Sequence, residues 1–271
     1  MTRVGFLGVG DMGAPMVSRL LDRGGHDVVL FARRPEVCRD FLSRGAHLAS
    51  SLPELAEASD VLVTCLFSDA QLRATAVGPD GFLGHLQPGS VLVSHTTGAP
   101  SLLDQLAVTA PRIDVVDAAI SGSPNDIERG QLTVMLGGEP SAVEAARAVV
   151  SAYADPIIKT GPRGSAMVVK LLNNMLFAAN AQLVAAAAAA GQSLGINPHS
   201  LLAALDACSG GSAAGAWIQR TGGLTIFEER VAKFVGKDIA TAVSVAEEVN
   251  ADVEFIRHVA EQGPLALSTL G

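Results

Sequence analysis

The first 160 residues alternate between two kinds of hydrophobic pattern. Short apolar runs recur along this part of the chain, and apolar residues at helical spacing lie between several of them. The runs that predict strands are residues 3–7, 28–31, 61–66, 91–94, 115–120 and 132–136. Residues 14–22 and 52–58 have the spacing expected of helices. This alternation predicts an α/β fold with a mostly parallel, doubly wound sheet that has helices on both faces.

From residue 164 onward the pattern is helical. Residues 165–194 contain no proline and are rich in Ala, Leu and Met, which favour helices. A helix of this length would extend about 45 Å. Further helices are predicted at residues 198–207, 226–234 and 239–261. The chain is therefore expected to have an α/β domain over residues 1–160 and an all-helical domain over residues 161–271 that begins with the long helix.

Composition narrows the class of protein. Hydrophobic residues make up 49% of the chain and charged residues 17%, which indicates a large buried core and argues against disorder. The net charge of −8, without a cluster of Lys and Arg, argues against nucleic-acid binding. The three cysteines are scattered, so neither a metal site nor a disulfide is expected.

The same patterns bear on cellular location. The longest uninterrupted apolar run, residues 183–190, is too short to cross a bilayer, so no membrane association is expected. A strand is predicted as early as residue 3, which leaves no room for a signal peptide before it. The predicted location is the cytoplasm.

A glycine motif follows the first predicted strand and opens the first predicted helix. Gly8, Gly10 and Gly13 fit the pattern G-x-G-x-x-G. Gly8 would allow the tight turn, Gly10 the approach of a pyrophosphate, and Gly13 the packing of helix on strand. Asp11 and Met12 complete the turn, where free N–H groups at the helix start would face the phosphates. The first domain is therefore predicted to be a Rossmann-like dinucleotide-binding domain, the alternative being a purely structural turn.

The end of the second strand bears on which dinucleotide binds. An NAD site usually has an acidic residue there for the ribose hydroxyls, whereas this chain has Arg33 and Arg34. Guanidinium groups suit a 2′-phosphate, so NADP is favoured over NAD. The alternative is a solvated arginine pair at a helix start, with Glu36 as a simple charge near its N-terminus.

Polar residues on the long helix are the first candidates for chemistry. Lys170 stands among apolar neighbours, and helical spacing puts Asn173 or Asn174 on its side of the helix. A lysine in such surroundings can donate and accept a proton. The alternative is that Lys170 extends to solvent and the asparagines are ordinary surface residues.

Two further candidates lie elsewhere in the chain. Ser121, Gly122 and Ser123 follow a predicted strand, and such a turn offers N–H and hydroxyl donors to a carboxylate, although it could be a simple loop. Lys237 and Asp238 are expected to open a helix, where the aspartate suits the helix N-terminus and the lysine could be ordinary surface.

Taken together, these segments resemble the β-hydroxyacid dehydrogenase family, which includes 3-hydroxyisobutyrate dehydrogenase, tartronate semialdehyde reductase and the glyoxylate/succinic semialdehyde reductases. The resemblance extends from residue 3 to about residue 260 and depends on several motifs in matching order. They are residues 8–13 with Pro15, residues 117–122, 130–138 and 170–174, and the pair Lys237 and Asp238.

The resemblance implies an enzyme that transfers a hydride between a nicotinamide cofactor and a small β-hydroxy acid or semialdehyde. It implies that Lys170 is the general acid and base, and that Asn174 holds the substrate oxygen near it. Ser121 and Gly122 would bind the substrate carboxylate. Lys237 would close over cofactor and substrate. Subunits of this family commonly dimerise through the helical domain, so a homodimer or higher homo-oligomer is expected.

The resemblance also implies that Leu66, Phe67 and Thr97 line the nicotinamide half of the site. The chain departs from the family here, with Leu66-Phe67 for Leu-Pro and Ser94-His95-Thr96-Thr97 for Asp-x-Ser-Thr. A single histidine at such a strand end is expected to be a structural donor. Two other functions stay open: an imine reductase, which shares this architecture but usually lacks the lysine, and a non-catalytic NADPH-binding module.

Overall fold

The chain folds into two compact units. The structure, a computed structural model, describes residues 1–267, and of Lys233 only the backbone. The first unit is Met1–Lys170 and the second begins at Leu171. The predicted boundary after residue 160 stays a prediction, and the last residues of the predicted second domain, 268–271, lie outside the described residues. The boundary between the compact units lies ten residues further along the chain than predicted, after Lys170, because the first turns of the long helix pack with the sheet.

A single sheet of eight strands forms the first unit. The strands are β1 (Thr2–Leu7), β2 (His26–Phe31), β3 (His47–Leu48), β4 (Val61–Thr64), β5 (Val91–Ser94), β6 (Asp114–Ser121), β7 (Leu132–Gly137) and β8 (Ala154–Gly161). Their order across the sheet is β3-β2-β1-β4-β5-β6-β7-β8, and every pair is parallel except β6 with β7. This confirms the predicted mostly parallel, doubly wound fold, in which ligands bind at the carboxyl ends of the strands.

Helices cover both faces of this sheet. The first unit contains α1 (Gly13–Arg23), α2 (Arg39–Ser43), α3 (Leu52–Glu57), α4 (Asp69–Ala76), α5 (Pro100–Thr109), α6 (Pro124–Glu128) and α7 (Pro140–Val150). Strand residues alternate between two cores, because successive side chains of a strand point to opposite faces. Val63 lies in one core with Leu20 of α1, and Leu62 lies in the other with Leu103 of α5.

Three features of the sheet differ from the prediction. The two-residue β3 is too short to show a hydrophobic period. β8 is mostly exposed and includes Pro156, so it lacks the apolar run that predicts a strand. β4 ends at Thr64 rather than at residue 66, and the apolar residues after it belong to a loop.

The second unit is helical, as predicted. The long helix α8 (Ser165–Ser193) runs into it from the first unit and is followed by α9 (Pro198–Ala207), α10 (Ala213–Thr221), α11 (Leu224–Glu248) and α12 (Glu254–Glu261). The core of this unit includes Met175 and Ala178 of α8 together with Phe227 and Val231 of α11.

The prediction of separate helices at residues 226–234 and 239–261 is wrong. α11 continues through Gly236, whose missing Cβ would lie 2.8 Å from the carbonyl oxygen of Leu267, so glycine permits a close approach there. The chain instead leaves the helix after Glu248, and Asn250 has a φ of +53°. Lys237 and Asp238 therefore lie inside α11 and do not open a helix.

Among the described residues, α8 is the one helix that is long and apolar enough to cross a membrane by length and composition. Within its most apolar stretch, 56% of the residues are buried inside the protein. A helix buried to this extent is typical of a protein core, which agrees with the packing of α8 against α11.

Candidate functional site

The glycine turn between β1 and α1 has the geometry of a phosphate-binding loop. Gly8 has a φ of +108°, and a Cβ there would collide with the carbonyl group of Cys65. At Gly13 a Cβ would collide with the carbonyl oxygen of Gly8, so this glycine allows the helix to approach the turn. Gly10 has no atom within 4 Å of its missing Cβ, which leaves open space beside the backbone.

The start of α1 is suited to an anion. Met12 is the N-cap residue and its side chain makes no capping hydrogen bond. Asp11 is exposed in the same turn, and the first turn of α1 contains no acidic residue that would repel a phosphate. Helix N-termini carry unpaired N–H groups and a partial positive charge, which stabilise phosphates. Together with the open space at Gly10, this arrangement fits the pyrophosphate of a dinucleotide.

Two arginines follow β2 at the same edge of the sheet. Arg33 and Arg34 are exposed, and neither forms an ion pair among the described residues. Arg34 is the N-cap residue of a short 3-10 helix, Pro35–Cys38, in whose first turn Glu36 lies. The guanidinium groups are thus available to an anionic ligand, while the helix start also suits the alternative of a solvated pair.

Loops after β4 and β5 are bonded to each other at this edge. The N–H of Leu66 donates to Thr96 Oγ1 at 3.2 Å, and the N–H of Ala99 donates to the Asp69 carboxylate at 2.8 Å. Thr97 lies between these two bonds and is half-buried. The side chain of Phe67 is 52% exposed at this edge of the sheet.

His95 is buried between β5 and its neighbours and is not available to a ligand. Its Nδ1 lies 2.5 Å from the Ala118 carbonyl oxygen, and its Nε2 lies 2.9 Å from the Tyr153 hydroxyl. The carbonyl can only accept, so Nδ1 carries the proton and Nε2 accepts from the tyrosine. Burial lowers the pKa of His95 to about 4. These contacts agree with the expected role of a structural donor.

The predicted carboxylate-binding turn follows β6. Ser121 is half-buried at the strand end, and Gly122 is exposed with a φ of +141°, a conformation that favours glycine. The turn then enters α6, where the Asp126 carboxylate accepts from the Ser123 N–H at 2.7 Å and from its hydroxyl at 2.6 Å. These bonds lower the pKa of Asp126. The turn is thus held by hydrogen bonds between Ser123 and Asp126, and Ser121 and Gly122 lie immediately before it.

Asp117, also in β6, is the buried acidic group of this region. Its carboxylate is fully buried and accepts from the N–H of Gly164 at 2.8 Å and from the N–H of Met167 at 3.0 Å. Both donors belong to the start of α8, the helix that carries Lys170. Burial raises the pKa of Asp117, and the N–H donors partly offset that effect. Residue patterns alone did not reveal this contact, because it joins positions that are about fifty residues apart.

Lys170 lies in the second turn of α8 and is half-buried. It belongs to the first unit, as do the glycine turn and Ser121. Helical spacing puts Asn174 one turn further along, in the second unit.

A polar chain inside the second unit includes Asn174. Its Nδ2 donates to Asp238 Oδ2 at 2.5 Å, and its Oδ1 accepts from Asn173 at 3.1 Å. Asp238 is buried, and Lys237 Nζ lies 2.8 Å from its other carboxylate oxygen. The structure thus brings together two predicted site residues, Asn174 and Lys237, through an aspartate to which the sequence assigned only a helix-start role. In the sequence, the available signal for this role of Asp238 was an acidic residue directly after Lys237 in a helical segment.

Family models match both parts of the chain. A model described as the NAD binding domain of 6-phosphogluconate dehydrogenase matches residues 3–161. A model described as "NAD-binding of NADP-dependent 3-hydroxyisobutyrate dehydrogenase" matches residues 164–270.

Individual relatives agree with these matches. The uncharacterized oxidoreductase YkwC of Bacillus subtilis is 31% identical over 79% of this chain and 73% of its own. The mitochondrial 3-hydroxyisobutyrate dehydrogenase of Mus musculus is 33% identical over 77% of this chain, a match that spans 63% of the mouse protein. A structure of Mycobacterium tuberculosis 3-hydroxyisobutyrate dehydrogenase with L-serine has a TM-score of 0.83 at 24% identity, and it covers 99% of this chain and 97% of its own. The last comparison shows that the two proteins share a fold.

Proposed function

Because the chain belongs to the 3-hydroxyisobutyrate dehydrogenase family, we propose that it is an NADP-dependent oxidoreductase that interconverts a small β-hydroxy acid and its semialdehyde. The observation that carries this proposal is the bonding of β6 to the start of α8 through Asp117. One strand thereby ends in the carboxylate-binding candidates Ser121 and Gly122 and also holds the helix of Lys170.

Each of these groups has a distinct task in the proposed reaction. When the dinucleotide is bound, with its pyrophosphate at the glycine turn and its nicotinamide beside Leu66, Phe67 and Thr97, the nicotinamide would supply or accept the hydride. The Lys170 ammonium donates a proton to the carbonyl oxygen of the semialdehyde, and the neutral amine takes it back in the oxidative direction. The hydroxyl of Ser121 and the N–H of Gly122 donate to the substrate carboxylate. Asn174, whose amide Asp238 orients, is proposed to fix the substrate oxygen near Lys170.

Removal of the lysine amine tests this assignment. We expect Lys170→Ala to lower kcat for NADPH-dependent semialdehyde reduction by about 10²- to 10⁴-fold, the usual contribution of a general acid. The Kd for NADPH, measured by fluorescence titration, should stay near the wild-type value. Lys159→Ala is the matched control, since Lys159 is an exposed lysine that pairs with Glu144, and it should retain full activity.

The substrate panel separates the proposal from its alternatives. Short semialdehydes, glyoxylate and cyclic imines are offered with NADPH, and turnover of imines alone would favour an imine reductase. A protein that binds NADPH but turns over none of these compounds would instead be a binding module, and the proposed reaction would be wrong.

Preference for NADP is proposed on the basis of Arg33 and Arg34. Their guanidinium groups would pair with the 2′-phosphate, and charge-assisted hydrogen bonds of this kind contribute about 1.5–3 kcal/mol each. We expect the double variant with Arg33→Ser and Arg34→Ser to raise the Kd for NADPH at least about tenfold and to raise the Kd for NADH only slightly. Arg73→Ser, on α4, is the control. Equal weakening of both cofactors would contradict the phosphate assignment.

Self-association is proposed to occur through the helical unit. Leu172, Leu176 and Leu183 of α8 are exposed, and they lie on one face together with the half-buried Asn180 because their spacings are three or four residues. An apolar face along a helix of 29 residues suits a second copy of the same helix. The cytoplasmic location stays a prediction from sequence.

A further inference from the structure

Asp117 is a buried polar residue of β6 that contacts the start of α8. Its side chain is fully buried, yet both oxygens are used, with Gly164 N–H at 2.8 Å and Met167 N–H at 3.0 Å. Gly164 immediately precedes α8 and Met167 lies in its first turn, where backbone N–H groups have no hydrogen-bond partner within the helix. A carboxylate at this position also interacts favourably with the positive end of the helix dipole.

Other contacts fix the same helix start against two more strands. The Ser165 hydroxyl donates to Thr160 Oγ1 at 2.7 Å, and the Thr160 hydroxyl donates to the Leu136 carbonyl at 3.1 Å. Gly137 leaves space for the polar cluster formed by Asp117, Thr160 and Ser165, since a Cβ at Gly137 would lie 2.5 Å from Asp117 Oδ1 and 2.7 Å from Ser165 Oγ. The first turn of α8 is thus held at β6, β7 and β8 by a closely packed polar group.

This group links two parts of the proposed site. Asp117 lies four residues before Ser121 on the same strand, and Met167, to which it bonds, lies three residues before Lys170 on the same helix. All of these residues belong to the first compact unit. A strand and a helix turn are stiff over such short distances, so the Asp117 contact fixes the separation between the two functional groups.

We propose that Asp117 is a positioning residue, which sets the place of Lys170 relative to Ser121 and Gly122 by bonding the first turn of α8 to β6. It touches neither substrate nor cofactor. The effect of Asp117 on catalysis rests on the proposed function, whereas the hydrogen bonds of Asp117 can be tested without any substrate. Burial raises the pKa of this carboxyl, and the two N–H donors act in the opposite direction by stabilising the charged form.

The Asp117→Asn variant tests whether Asp117 affects the rate of semialdehyde reduction. The amide oxygen can accept from one N–H, but its NH₂ group faces the other donor, so the helix start should shift. A displacement of about 1 Å in a reacting group can lower the rate about 100-fold, and we expect kcat to fall at least about tenfold. KM for the semialdehyde and Kd for NADPH should stay near wild-type values. Asp114→Asn, on the same strand and away from α8, is the matched control.

A double-mutant cycle distinguishes positioning from loss of fold. If Asp117 acts through Lys170, then Asp117→Asn should cause little further loss of the single-turnover rate in a Lys170→Ala background. If both substitutions lower that rate by independent factors, or if KM and NADPH affinity change as much as kcat, Asp117 has only a structural role and the proposal is overturned.

Hydrogen exchange tests the contact whether or not the protein turns over a hydroxy acid. Amide exchange at Gly164 and Met167, measured by mass spectrometry or NMR, should speed up in Asp117→Asn and stay unchanged in Asp114→Asn. Unchanged exchange would refute the contact. Faster exchange in a protein whose wild type reduces no semialdehyde would mean that the proposed function fails while the contact stands.

Gly137→Ala provides a second route if Asp117→Asn does not fold. The added methyl group would lie 2.5 Å from Asp117 Oδ1 and 2.7 Å from Ser165 Oγ, so it should displace these side chains without removing the carboxylate itself. Gly137→Ala should lower kcat and leave KM for the semialdehyde and Kd for NADPH near their wild-type values, as expected for Asp117→Asn. Gly84→Ala is its control, since a Cβ there meets no atom within 4 Å, and this variant should behave like the wild type. A Gly137→Ala protein with wild-type kcat would contradict the proposal.

Discussion

At the scale of single residues, His95 shows how burial decides the role of a titratable group. It lies beside the proposed nicotinamide region, yet both ring nitrogens are bonded inside the protein. The ring joins the end of β5 to the Ala118 carbonyl of β6 and to Tyr153, which precedes β8. Its ring edge also meets the tyrosine ring at a centroid distance of 5.8 Å. His95 therefore stabilises the ends of these strands through internal hydrogen bonds.

This histidine should make the stability of the protein depend on pH. Its pKa is about 4 in the folded state, against an ordinary value of 6.5, so the unfolded chain takes up the proton first as the pH falls. The stabilisation is complete above about pH 6.5 and is lost as the pH falls to about 4, a change of about 3 kcal/mol. Urea denaturation of the wild type at a series of pH values between 7.5 and 4 measures it.

His95→Gln isolates this effect from that of the carboxylates. Several of these, including Asp60 and Asp126, have a lowered pKa and also destabilise the fold on protonation, but they are present in both proteins. The variant should be less stable at pH 7.5 and should lose less free energy of unfolding than the wild type between pH 7.5 and 4. His85→Gln, at a more accessible histidine, serves as the control. Parallel pH profiles of wild type and His95→Gln would refute the assignment.

At the scale of elements, the first strand, turn and helix combine glycines with different tasks. Gly13 is required by packing, because a Cβ would collide with the Gly8 carbonyl oxygen. Gly10 faces open space and is required only if a ligand approaches the backbone there. The structure shows the packing task that the motif predicts for Gly13, and the open space beside Gly10 is consistent with the binding task predicted for that position.

Alanine substitutions at these two glycines should therefore have opposite profiles. We expect Gly13→Ala to lower the free energy of unfolding by about 1–3 kcal/mol, the usual effect of overpacking. Gly10→Ala should leave it nearly unchanged and should raise the Kd for NADPH at least about tenfold, because the methyl group occupies the space for the pyrophosphate. Calorimetry and fluorescence titration measure the two quantities. Unchanged NADPH affinity in Gly10→Ala would argue against a phosphate at this turn.

The elements also show where sequence patterns suffice. The central strands were predictable because buried parallel strands are continuous apolar runs. β8 was not, because an exposed edge strand with a proline carries no such run. In α11 a break was predicted between residues 234 and 239, whereas the helix continues through Gly236, which packs closely against Leu267, a contact that no local pattern reveals. For the same reason the motifs located Asp117 and Asp238 but not their hydrogen-bond partners.

At the scale of the whole molecule, the apolar face of α8 predicts the state of assembly. We expect the wild type to sediment at twice 27.7 kDa and Leu176→Glu with Leu183→Glu to sediment at 27.7 kDa, since charges on an apolar face disfavour its burial. Val108→Glu, at an exposed hydrophobic residue of the first unit, should leave the mass unchanged. A wild type that sediments as a monomer would contradict the proposed dimer.

The continuity of α8 has a consequence for how such a protein can be rearranged. Its first turns pack with the sheet and its later turns belong to the core of the helical unit, so a division of the gene at the boundary between the two units would cut this helix. A fragment that ends near residue 163 would lose both N–H partners of Asp117 and leave a carboxylate buried and unpaired. Recombination that replaces the first part of the chain must therefore keep β6 together with the first turns of α8.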